Sequence, residues 1–166
     1  MGGGVRTEAE GYMIEIGSKA PGFSLESDQG GTLTLDAFKG KKVVLYFYPK
    51  DDTPGCTNEA IAFTGLKDEF EKADTVIIGA SKGTVKSKAK FREKHNLGVM
   101  LGADPEAQVI EAYDSWVEKS LYGRKYMGID RATFLIDRDG VLRQVWRKVK
   151  VPGHADAVLK AAQDLA

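Results

Sequence analysis

The run Val43-Val44-Leu45-Tyr46-Phe47-Tyr48-Pro49-Lys50-Asp51-Asp52-Thr53-Pro54-Gly55-Cys56-Thr57-Asn58-Glu59 sets the reading of the whole chain. Its first six residues form an unbroken apolar and aromatic stretch, the pattern of a buried strand. Beyond it, Phe63, Leu66 and Phe70 recur at helical spacing. The cysteine therefore falls in the first turn of a helix predicted over residues 56–72, after a strand and a proline-containing loop. Free backbone N–H groups and the positive end of the helix dipole gather at such a turn. Both favour negative charge on the sulfur, and the thiolate is the reactive form of a thiol.

Cys56 is the only cysteine in the chain. A hydrolytic thiol needs a histidine base, and the two histidines, His95 and His154, read as surface residues. Structural zinc takes about four ligands, which one cysteine and two scattered histidines do not supply. A dithiol oxidoreductase needs Cys-x-x-Cys, which is absent. One-thiol redox chemistry remains, or none: a free cysteine is commonly inert packing. The Pro, Gly and Thr around Cys56 favour chemistry.

Pro49, Thr53 and Cys56 stand as Pro-x-x-x-Thr-x-x-Cys, which resembles the active-site signature of the peroxiredoxins. The fuller run from Tyr46 to Glu59 resembles their Q-type branch, the bacterioferritin comigratory proteins. The opening Gly17-Ser18-Lys19-Ala20-Pro21-Gly22-Phe23, the segment Tyr126-Met127-Gly128-Ile129 through Asp137, and Val145-Trp146-Arg147-Lys148-Val149 fit the same branch. The resemblance spans roughly residues 14–165. It implies a thioredoxin-like fold and a thiol peroxidase acting on hydrogen peroxide and small organic hydroperoxides. Cys56 is then the nucleophile, Thr53 places a hydroxyl beside sulfur and peroxide, and Pro49 shields the pocket. Arg131, opening the strand Ala132-Thr133-Phe134, supplies a permanently charged fork of donors. Without the resemblance, Arg131 reads as an ordinary surface arginine.

One departure matters. Many Q-type members carry a resolving cysteine five residues after the first, and that position holds Ile61. With no second cysteine, an intramolecular disulfide is impossible. The sulfenic acid formed by peroxide must react with an outside thiol: thioredoxin, glutaredoxin or glutathione. On a helix of about 100° per residue, Cys56 borders the face of Glu59, Phe63, Leu66 and Phe70, while Ile61 faces nearly the opposite way. Glu59 reads first as a helix-dipole residue. A thiol-based redox sensor or binding module, signalling through Cys56 oxidation, fits the same residues and is the alternative.

The chain of 166 residues, with 24 basic and 24 acidic side chains, suits one domain with its own core. Its balanced charge gives no footprint for nucleic acid or a membrane surface. No cofactor or metal is expected. A lone cysteine fits a reducing compartment, hence the cytoplasm. The Q-type resemblance implies a monomer or weak homodimer. Residues 1–12 are glycine-rich and polar, a disordered tail or an appended non-native segment, without an apolar signal region. Met13 offers an alternative start. Residues 13–166 then form the domain.

Within it, Phe23-Ser24-Leu25 and Thr32-Leu33-Thr34-Leu35 flank a turn, the signal of an N-terminal β-hairpin. Residues 75–80 read as a second core strand, 84–96 as a basic helix and 97–101 as a further strand. Asp104-Pro105 reads as the start of a helix reaching Tyr113. Residues 114–128 read as loop, 132–137 and 141–148 as strands, and 155–165 as a closing amphipathic helix. Alternating strands and helices fit an α/β, thioredoxin-like sandwich with a central mixed sheet and helices on both faces. Lys82, Lys86, Lys88, Lys90, Arg92 and Lys94 read as a solvated helix surface, and Arg147, Lys148 and Lys150 as facing water. Trp116, Trp146, Tyr122 and Tyr126 read as core or rim.

Overall fold

The computed structural model describes residues 14–166, so the readings of the tail and of Met13 lie outside the described residues. The apolar run becomes β3 (Lys42–Phe47), buried at every position. Val43, Leu45 and Phe47 enter one core, while Val44, Tyr46 and Tyr48 enter the other. A strand with two buried faces has no polar alternation to show. It pairs parallel with β4 (Thr75–Ser81) and antiparallel with β8 (Ala132–Ile136).

These three strands centre a mixed seven-stranded sheet. The N-terminal hairpin of β1 (Ser24–Ser27) and β2 (Thr32–Thr34) and the strand β5 (Met100–Ala103) extend it on one side. β9 (Leu142–Trp146) extends it on the other. The order is β2-β1-β5-β4-β3-β8-β9. Helices α1 (Pro54–Gly65), α2 (Lys67–Lys72), α3 (Val85–His95) and α5 (His154–Asp164) supply Phe63, Phe70, Phe91 and Val158 to one core. The short α4 (Gln108–Ala112) covers the other face with Val109 and Ile110. The thioredoxin-like α/β sandwich is thus the fold.

Several elements differ from the sequence reading. The single helix over 56–72 breaks after Gly65, a weak helix former, where Leu66 leaves helical geometry at φ −103°, ψ 7°. Phe70 then reaches Phe63 from α2, ring centroids 5.9 Å apart. The helix expected from Asp104-Pro105 starts later, at Gln108, because residues 104–107 form a turn in which Ala107 adopts φ 59°. Asp104 still serves α4: its Oδ2 accepts from the Ile110 N–H at 2.8 Å.

Residues 114–128 are not a loop. β6 (Trp116–Leu121) and β7 (Arg124–Ile129) form an antiparallel hairpin of their own. Its two-residue turn, Tyr122-Gly123, has both φ values positive, at 53° and 77°, as a tight hairpin turn requires. Most of its positions are exposed, so no buried face imprinted a period of two.

The basic helix is not wholly solvated. Lys88 is fully buried, and Arg92 pairs with Asp28 at 2.6 Å. Arg147 does not simply face water either, since it donates to the Asp114 carbonyl at 3.0 Å and lies over the Phe134 ring. Of the aromatics read as core or rim, Tyr122 is fully exposed and Tyr126 about half exposed.

Candidate active site

α1 begins where β3 hands over to the loop of residues 49–53. Thr53 is its N-cap, in extended geometry, and Pro54 fills the first turn without wasting an N–H. Cys56 therefore lies in the first turn, as the sequence predicts. Its side chain does not merely border the buried face but is itself buried, at 1% exposure, whereas Ile61 on the opposite face is 46% exposed.

The β3–β8 register brings the second group in. Phe47 pairs with Ala132, so Arg131 sits beside the end of β3, next to the first turn of α1 that carries Cys56. Its Nη2 donates to Cys56 Sγ at 3.5 Å across 75 residues of chain. Gly55 makes room for this approach, since a Cβ there would meet Nη2 at 3.2 Å. Nη1 donates to Glu59 Oε1 at 2.7 Å. Glu59 and Cys56 are three residues apart on one helix face, so one guanidinium bridges both.

Glu59 is thus more than a dipole residue. It is buried, and among the described residues its Oε2 has no hydrogen-bond partner, nor has the hydroxyl of buried Tyr46. Burial pushes the Glu59 pKa up to about 7, against the opposing pull of Arg131. For Arg131, burial works against the charge, but Cys56 and Glu59 outweigh it and its pKa is raised. The spacing Cys-x-x-Glu was the available signal. It gave no reason to pair the carboxylate with an arginine 72 residues away.

The other two candidate residues do not converge on the sulfur in the same way. The Thr53 hydroxyl donates to the Lys50 carbonyl at 2.8 Å, bracing the loop. Pro49 is exposed directly after buried Tyr48.

Sequence reasoning missed two neighbours. His154 is buried, not a surface residue. Its Nε2 lies 2.7 Å from Thr133 Oγ1, and its ring meets Phe63 and Trp146 edge-on. Burial, aided by the Arg131 charge, lowers its pKa to about 4, so it is neutral. The second neighbour is a polar cluster under the loop. Asp51 accepts from the Tyr48 hydroxyl at 2.5 Å, from Ser87 Oγ at 2.8 Å and from Lys88 Nζ at 3.3 Å. Lys88 also donates to Ser81 Oγ at 2.5 Å. Burial lowers the Lys88 pKa, and Asp51 pulls it back. Asp52, at φ 61°, contacts Lys94 at 2.8 Å and His95 at 2.7 Å. Consecutive aspartates therefore fasten the cysteine loop to α3.

A buried thiol held by a guanidinium at a helix start can bind a small polar oxidant and stabilise charge during attack. The AhpC/TSA family model matches residues 16–145. A peroxiredoxin Bcp of Bacillus subtilis is 49% identical over 153 residues, covering 92% of this chain and 98% of that protein. The structure resembles a Xanthomonas campestris bacterioferritin comigratory protein studied for alkyl peroxide reduction. The TM-score is 0.82 at 44% identity, over 86% of this chain and 90% of that one. A serine-for-cysteine mutant of Xylella fastidiosa PrxQ gives 0.88 at 35% identity, over 93% and 98%.

Proposed function

This chain belongs to the AhpC/TSA family, in its peroxiredoxin Q branch, and from that premise we propose how its one cysteine reduces peroxides. The protein is a thiol peroxidase. The observation that carries the site assignment is the Arg131 guanidinium bridging Cys56 Sγ and Glu59.

The Cys56 thiolate attacks one oxygen of the hydroperoxide. A sulfur–oxygen bond forms, the O–O bond breaks, and the second oxygen leaves as alcohol or water after taking a proton. Sulfur is oxidised by two electrons and the peroxide reduced by two. Arg131 stabilises charge on sulfur and on the oxygens as it shifts between them. Glu59 fixes the guanidinium plane, so little reorganisation is needed. With its proton committed to Lys50, the Thr53 oxygen is left as an acceptor, suited to the O–H of a hydroperoxide. Pro49 borders the entrance. Hydrogen peroxide and small organic hydroperoxides are the proposed substrates.

The sulfenic acid meets no second cysteine. An external thiol attacks its sulfur, water leaves, and a mixed disulfide forms. A second thiol releases Cys56 and carries away the disulfide. This demand fits a reducing cytoplasm, with the protein acting as a monomer or weak homodimer. Among the described residues, no helix is long and apolar enough to cross a membrane. A sensor would use the same first step and stop there.

Peroxide consumption under excess thiol tests the reading. Many turnovers per protein are expected, and none after Cys56→Ser with the circular-dichroism spectrum unchanged. Turnover retained in Cys56→Ser overturns the assignment, and a single turnover in the parent with every thiol donor favours the sensor.

A further inference from the structure

Four of the six large apolar side chains exposed among the described residues lie on the β6–β7 hairpin: Leu121, Tyr122, Tyr126 and Met127. Tyr122, at the tip, is 99% exposed. The hairpin pairs with no strand of the main sheet. Its base is fixed, because Ile129 is buried and Lys82 lies 4.9 Å over the Trp116 ring. Exposed aromatics on a segment that contributes little to the core ask for a partner.

The hairpin also leads to the thiol. β7 ends at Ile129, two residues before Arg131, whose guanidinium touches Cys56 Sγ. The register sets Lys119 opposite Tyr126 and Leu121 opposite Arg124. A Cβ at Gly128 would meet Lys119 Cδ at 3.2 Å and the Tyr126 ring at 3.4 Å, so these side chains share one face. Burial lowers the Lys119 pKa, and the charges of Asp130, Arg131 and Cys56 act on it as well.

The surface chooses its occupant by size and charge. A six-residue strand spans about 20 Å. A tripeptide thiol reaches about 10 Å when extended, so it cannot engage Cys56 at the base and Tyr122 at the tip together. The hairpin carries Lys119, Arg124 and Lys125 against Glu118 in a chain of zero net charge. Buried aromatics anchor protein interfaces, and a cationic rim selects an anionic one.

We propose that the β6–β7 hairpin is the docking arm for a protein reductant, a dithiol protein whose reactive cysteine lies in an apolar face bordered by acidic side chains. The proposal rests on the one-cysteine peroxidase reading. The partner's thiolate attacks the sulfenic sulfur of Cys56, water leaves, and the partner's second thiol breaks the mixed disulfide. Cys56 is reduced and the partner leaves as a disulfide.

The test uses the full chain and two variants, Leu121→Ser/Tyr122→Ser/Tyr126→Ser and Arg124→Glu/Lys125→Glu. Rapid mixing measures Cys56 oxidation by hydrogen peroxide. Steady-state assays measure recycling by thioredoxin, by glutaredoxin and by dithiothreitol. The expected result is a loss of at least about tenfold in kcat/KM for the protein reductant, mainly through KM. Oxidation and dithiothreitol recycling stay unchanged, and the charge variant loses the dependence on ionic strength. Protein recycling unchanged in both variants overturns the proposal. So does a parallel fall with dithiothreitol, or a parent recycled by small thiols but by neither protein. A parent whose Cys56 is never oxidised removes the peroxidase reading itself, and this proposal with it.

Discussion

The loop of residues 49–53 leads into the helix turn that holds the thiol, and the β6–β7 hairpin ends two residues before Arg131, but only the loop is fastened along its length. Asp51 is gripped from beneath by Tyr48, Ser87 and Lys88, and Asp52 from outside by Lys94 and His95. The hairpin has a fixed base and a bare tip. The loop must hold a nucleophile in register with Arg131, and polar ties to α3 give that orientation. Most positions of the hairpin are exposed, so its surface is available for recognition. Chemistry and recruitment are thus assigned to segments of opposite character.

The widest gap between them should appear in stability. Lys88→Met leaves Asp51 buried without its cation, and breaking such a pair costs about 3–5 kcal/mol. Chemical denaturation should show that loss, and Asp51→Asn/Lys88→Met should recover part of it. A loss under about 1 kcal/mol would mean the loop is held by its backbone alone.

Next in size is a rate effect. Removing one charge-stabilising donor costs about 10²–10³-fold, so Arg131→Met should slow Cys56 oxidation by that much with the fold retained. Rapid-mixing fluorescence or peroxide depletion measures it. An effect below about tenfold would move the catalytic weight away from the guanidinium.

Titration gives a third, smaller contrast. Burial raises Glu59 from an ordinary 4.5 to about 7. Below pH 4.5 the carboxyl is protonated whether folded or unfolded. As pH rises toward 7, the unfolded carboxyl ionises while the buried one resists, so stability falls by up to about 3 kcal/mol. His154 runs oppositely: its lowered pKa of about 4 means stability is lost as pH falls from 6.5 toward 4. Glu59→Gln should flatten the first slope and His154→Gln the second, read as denaturation midpoints against pH. A Glu59→Gln profile parallel to the parent's would contradict the first assignment.

The smallest effect is expected at the hairpin tip. Tyr122→Ser should change stability by under about 0.5 kcal/mol, as for surface positions without special roles. A thermal shift of several degrees would show that the tip packs against the domain after all.

The sequence made the frame legible because β3 is buried on both faces and Cys56 follows it directly. Resemblance named Pro49, Thr53, Cys56 and Arg131 as candidates, and of these only Cys56 and Arg131 are seen in contact. What the sequence hid was long-range. Lys88 looks like any lysine on a basic helix until the fold places it beneath Asp51. His154 opens a helix near the C-terminus, and only the packing of α5 on β8 buries it against Thr133. The hairpin was hidden for the opposite reason, since a ribbon with few buried positions carries no hydrophobic period. Tyr122-Gly123 was the one local clue.

Cys56 alone carries the two-electron chemistry and depends on an external thiol for its return. Intact-protein mass spectrometry after one equivalent of hydrogen peroxide, then glutathione or a thioredoxin system, tests it most directly. The expected sequence is a gain of one oxygen on Cys56, passage through a mixed disulfide, and return to the starting mass with repeated peroxide consumption. A thiol left unoxidised, or an oxidised form that no thiol returns, would contradict it.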